Sequence, residues 1–67
     1  MGDQLVSRLR EERTSQNLAQ AQLAELVGVS RKAIDTVENG IFVPSTVLSL
    51  RLAKALGTTV EKLFQQP

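Results

Sequence analysis

An all-α fold of five short helices is what this sequence predicts, and three observations predict it. Apolar residues recur three or four places apart along most of the chain, the spacing of one helix face. Helix punctuation falls between these runs, with Ser30, Ser45 and Thr59 at helix starts and Gly28, Gly40 and Gly57 just past helix ends. Nowhere do four residues alternate apolar and polar with β-branched enrichment, so no strand is expected. At 67 residues the whole chain, 1–67, reads as one compact domain. A chain this short buries only about 60% of the surface its unfolded form exposes. It holds no Cys and no His, so neither disulfides nor the usual zinc sites can reinforce it. Self-association is the reinforcement left.

The elements follow in order. "DQLVSRLREER" carries Leu5, Val6 and Leu9 on one helical face, with Asp3 placed to cap it. "TSQN" reads as a polar turn. In "LAQAQLAELVG" the residues Leu23, Ala24 and Val27 cluster at helical spacing, and Gly28 closes the run. Its start is open between two positions. If Ala19 is the cap, Leu18 is set to pack onto Leu23; if Asn17 is, with Gln20 three residues on, the helix begins a turn earlier. Ser30 caps the third helix, and Gly40 supplies the left-handed residue past its end. "IFVP" is a loop, because Pro44 disfavours helical geometry at Val43. Ser45 caps "TVLSLRLAKAL", which Gly57 closes, and Thr59 caps a last short helix with Val60, Leu63 and Phe64 on one side.

The third helix carries the chemistry. Stepping 100° per residue, Ala33, Ile34 and Val37 cover one arc, and Arg31, Lys32, Asp35, Thr36 and Asn39 the opposite one. Short polar side chains on such a helix fit the major groove of B-DNA, where Arg or Lys pairs with guanine acceptors. By charge pattern alone the same face reads as merely solvated. Eight basic and seven acidic residues leave a net charge of +1, too small an excess to decide between the two.

Order and spacing decide it. A helix, a short turn containing glycine and a second helix form a helix-turn-helix, here at helices two and three. "QAQLAELVGVSRKAIDTVENG", "PSTVLSLRLAKALGTTVEKLF" and "LREER" together resemble the lambda-repressor-like, Cro-type family of helix-turn-helix regulators, also called the xenobiotic-response-element family. The resemblance implies a sequence-specific transcriptional regulator, a repressor, that binds double-stranded DNA at a palindromic operator as a homodimer in the cytoplasm. Carried over by position, Arg31, Lys32 and Thr36 sit where the family reads base edges, with Ala33 and Asp35 beside them. Gln20, Ser30, Asn39 and the backbone at Ile41 sit where it contacts phosphates, and Gln20 also braces the recognition helix.

The chain departs from the family at three polar positions. Ala19 replaces a Ser or Thr, and Ile41 and Phe42 replace a frequent Lys and Tyr, which lowers the expected non-specific affinity. The register of the first helix is open too. A three-residue insertion in the first turn keeps Leu9 in its core slot and makes Arg10 the family arginine that pairs with Glu38. The ungapped fit puts Glu12 there and makes Arg13 the partner. The preferred pair is Arg10 with Glu38, in a structural role.

Helix four is apolar on two sides. Leu50, Ala53 and Leu56 form the side expected to meet the core, while Leu48, Leu52 and Ala55 lie well round the helix from it. Either helix five covers this second stripe within the chain, or it is a dimer interface, the preferred reading because palindrome readers need two copies one helical turn apart. No catalytic constellation, cofactor motif or metal-ligand set is present, and no small-molecule site is evident, so an enzyme is not expected. No apolar run approaches the roughly 20 residues that span a bilayer. The rival to a DNA-binding regulator is an antitoxin-like or other protein-interaction module on the same fold, with DNA binding secondary.

Overall fold

Hydroxyl caps set three of the helix starts in the computed structural model, which describes residues 6–65. Ser30 Oγ accepts from the amide of Ala33 at 3.1 Å and opens α3, Arg31–Glu38. Ser45 Oγ accepts from Leu48 at 3.1 Å and opens α4, Thr46–Leu56; Thr59 Oγ1 accepts from Lys62 at 3.3 Å and opens α5, Val60–Leu63. Each bond satisfies one of the amides that a helix start leaves unpaired. The helix α2, Gln20–Val27, has no such hydroxyl. Ala19 is nonetheless its cap residue, and the Ala19 amide donates to Gln22 Oε1 at 2.7 Å, the reciprocal half of a capping box. Asn17 is not a cap. It lies in the turn before the helix with φ +59°, the left-handed region that asparagine tolerates better than most residues.

The first helix is shorter and later than the sequence suggests. The helix α1 spans Leu9–Ser15, so Thr14 and Ser15 belong to it and the turn shrinks. Their hydroxyls fold back onto the carbonyls of Arg10 and Glu12, each at 2.8 Å. Val6 is extended, not helical. With Ser7 it forms β1, which pairs antiparallel with β2, Phe64–Gln65, in the register Val6↔Gln65 and Ser7↔Phe64. The Arg8 amide then donates to Leu63 O at 2.8 Å. A two-residue ladder is too short to show alternation, so the expectation of no strand is corrected by a contact joining the two ends of the chain. Asp3 and Leu5, expected in helix one, lie outside the described residues.

The core is built from Leu9, Leu23, Ala24, Val27, Ile34, Val37, Leu52, Ala53, Leu56 and Leu63. Leu18 packs against its edge with Val60 and Phe64. Gln16 Nε2 donates to Leu56 O at 2.7 Å and ties the first turn to the end of α4. Helix four faces the core differently from expectation. Leu52 is fully buried, and Leu50 is 58% exposed. The face that packs is Ser49, Leu52, Ala53 and Leu56, and the buried serine breaks its apolar stripe in the sequence. Leu52 is therefore a core residue and not an interface residue, while Leu48 and Ala55 flank the core half-buried.

Candidate nucleic-acid interface

Gly28 makes the turn between α2 and α3. At φ +78° it occupies a conformation that a side chain would strain, and its amide closes α2 on Ala24 O at 2.9 Å. The chain then enters α3 through Val29 and Ser30. Ile34 and Val37 anchor α3 in the core, and Arg31, Lys32 and Asn39 stand exposed on its far side with Ala33, Asp35 and Thr36 half-buried between. The inner and outer arcs expected from the sequence are largely those of the structure, Ala33 being less covered than its arc implied.

A continuous set of hydrogen bonds fixes the outer arc. Arg31 Nη1 donates to Gln20 Oε1 at 2.9 Å. Gln20 Nε2 donates onward to Asp35 Oδ1 at 3.1 Å and Glu38 Oε1 at 3.0 Å. Both ends of the Gln20 amide are thereby used inside the chain, so its orientation is set by the two carboxylates and in turn sets Arg31. Sequence reasoning missed the Asp35 contact, because the two residues are fifteen apart and meet only once α2 and α3 are packed. Thr36 Oγ1 donates to Ala33 O at 2.9 Å, which leaves the hydroxyl lone pairs able to accept. Asn39 Nδ2 donates to Asp35 O at 2.9 Å.

Glu38 is the centre of the set. Its side chain is wholly buried, yet it meets Arg13 through Nε at 2.6 Å and Nη2 at 3.2 Å. Arg13 also donates to Leu18 O at 2.7 Å. Burial pushes the Glu38 carboxyl up, but hydrogen bonds from Arg13, Gln20 and Arg10 outweigh it and hold the group below the usual glutamate range. The hydrogen bond to Glu38 raises Arg13 further, against its own burial. Arg10 reaches Glu38 only through Nε at 3.4 Å and remains 53% exposed, against 11% for Arg13. The preferred pair of Arg10 with Glu38 is present but secondary: Arg13 is the principal partner. Leu9 is nevertheless fully buried, because a short helix carries Leu9 and Arg13, four residues apart, on one face.

One expected phosphate donor is spent elsewhere. The Ile41 amide donates to Thr36 O at 3.1 Å, and the Phe42 amide to the same oxygen at 3.3 Å, so the backbone at Ile41 is not free to meet a phosphate. Ser30 uses its oxygen as an acceptor for the cap and keeps its hydroxyl proton to donate. Hydrogen bonds join Arg10, Arg13 and Arg31, directly or through Gln20 and Asn39, to Asp35 and Glu38, and Lys32 stands exposed next to Arg31 in the chain. A chain of nearly balanced charge therefore presents a local basic excess.

Known proteins share this fold. A helix-turn-helix family model matches residues 9–63. An HTH-type transcriptional regulator of Methanothermobacter thermautotrophicus is 44% identical over 84% of this chain and 83% of its own. The crystal structure of the restriction-modification controller protein C.AhdI from Aeromonas hydrophila superposes with a TM-score of 0.79, at 44% identity over 85% of this chain and 86% of that one. The P22 c2 repressor, in complex with a synthetic operator, superposes with a TM-score of 0.78, at 35% identity over 81% and 82%.

Proposed function

The chain belongs to the helix-turn-helix family of DNA-binding transcriptional regulators, which are not enzymes, and from that premise we propose that it is a repressor binding a palindromic operator as a homodimer. The observation that carries the reading is the outer arc of α3, where Arg31 is held by Gln20 with Lys32 and Thr36 beside it. Arg31 and Lys32 take guanine acceptors in the major groove, and Thr36, with Ala33 and Asp35, completes the base-reading surface. Because Gln20 already fixes Arg31, less side-chain freedom is lost on binding than a free arginine would lose. Ser30 and Asn39, at the two ends of α3, position the helix through phosphates; Gln20 acts chiefly as the brace.

One α3 covers only a few base pairs, so a second copy supplies the other half-site. The surface for it is apolar and exposed: Ile41, Phe42, Val43, Val47 and Leu50, from the α3–α4 loop and the outer side of α4. This set replaces the stripe expected from the sequence, of which Leu52 is core. Ile41 and Phe42 hang on Thr36 O, so a contact made there is coupled to the recognition helix itself. Selection of bound fragments from a random duplex library tests the reading. Enrichment of two inverted half-sites about 10 base pairs apart, centre to centre, is the expected result. A library that emerges without any enriched motif would refute it.

A further inference from the structure

Two arginines converge on one carboxylate, and Arg13 is its closer partner. Arg13 gives Glu38 two nitrogens from a nearly buried position, and Gln20 adds a third donor. Arg10 contributes one long contact of 3.4 Å and stands half in solvent. Its shorter hydrogen bond, 2.9 Å from Nη2, goes to Asn39 Oδ1, an uncharged oxygen at the exposed end of α3. A guanidinium has five N–H donors in a planar fork. Among the described residues, Arg10 uses two of them. The single negative charge of Glu38 is shared with Arg13, so most of the positive charge of Arg10 is left beside Asn39.

We infer that Arg10 is itself a DNA contact: the edge of its guanidinium not turned to Glu38 and Asn39 takes a phosphate oxygen next to the one Asn39 meets. A charge-assisted N–H to phosphate bond is the ordinary use of an exposed arginine held in one orientation. Here Glu38 and Asn39 do the holding. The inference rests on the reading of α3 as the DNA-binding helix. It assigns Arg10, on α1, to the same phosphate-binding end.

The salt dependence of binding to a random-sequence duplex separates this role from a structural one, because each neutralised phosphate contributes about 0.9 to the slope of log K against log salt. Arg10→Gln should lower that slope by about 0.9, so that affinity falls about 3.5-fold less between 50 and 200 mM salt than in the unaltered chain. Arg10→Lys should keep the slope. The same loss should appear when Arg10→Gln is made in an Asn39→Ala background. An unchanged slope in Arg10→Gln overturns the inference, as does a loss that disappears without Asn39, which would make Arg10 only a support for that side chain. An Arg10→Gln chain that no longer folds would likewise assign Arg10 to the ion pair. If the unaltered chain shows no salt-dependent binding, the DNA reading fails first and this inference with it.

Discussion

At the scale of single residues, the two arginines that flank Glu38 differ in what they hold. Removing Arg13 leaves a wholly buried carboxylate without its main partner, a change that costs about 3–5 kcal/mol in comparable buried pairs. A domain of this size has only several kcal/mol of stability in total, so Arg13→Ala should be close to unfolded in a thermal melt. Arg10→Ala, at a half-exposed site, should cost less than about 1 kcal/mol. Equal melting temperatures for the two variants would contradict the assignment. Glu38 also gives the fold a pH dependence. Its folded carboxyl titrates below the unfolded value, near 4.5, so the stability it contributes is complete above that value. That stability is lost as pH falls from there through the lower folded value. Melting curves of the unaltered chain and Glu38→Gln, compared across pH, should diverge at neutral pH and converge in acid. A gap that stays constant down to pH 2 would show that Glu38 is not the group responsible.

Single elements show what was legible in the sequence and what was not. The starts of α3, α4 and α5 were readable because Ser30, Ser45 and Thr59 act on amides three residues away. The ends at Gly28 and Gly40 were readable for the same reason, locality. The β1–β2 ladder and the choice of Arg13 over Arg10 were not, because both depend on packing between segments far apart in the chain. Helix four misled by composition: Ser49 on the buried side hid the core face, and Leu50 on the outer side imitated it. Most of the outer arc of α3 was legible from periodicity, whereas the Gln20 bridge to Asp35 required the packed helix pair. Leu50 and Leu52, both on α4, now give opposite expectations. Leu52→Ala should cost about 2–5 kcal/mol of stability, as buried leucines do. Leu50→Glu should leave the melting temperature nearly unchanged while shifting the sedimentation of the chain toward monomer. A Leu50→Glu chain that stays dimeric would remove this side of α4 from the interface.

For the molecule as a whole, the ion pair, the Gln20 brace and the proposed dimer surface all bear on one proposed outcome, the placement of α3 against DNA at a fixed spacing. Loss of the brace should show this coupling. Gln20→Ala frees Arg31 and should flatten the preference among bases more than it weakens binding to random duplex, which competition binding with the two kinds of DNA would measure. A uniform loss on both would return Gln20 to a phosphate contact. The most direct measurement of whether α3 reads sequence is a comparison of the motifs selected from one random library by the unaltered chain and by Arg31→Ala. The expected result is a motif that becomes degenerate at one base pair in each half-site and is otherwise retained, with discrimination there reduced by about 1–3 kcal/mol. The same motif, with the same preference at every position, would contradict the role given to the outer arc of α3.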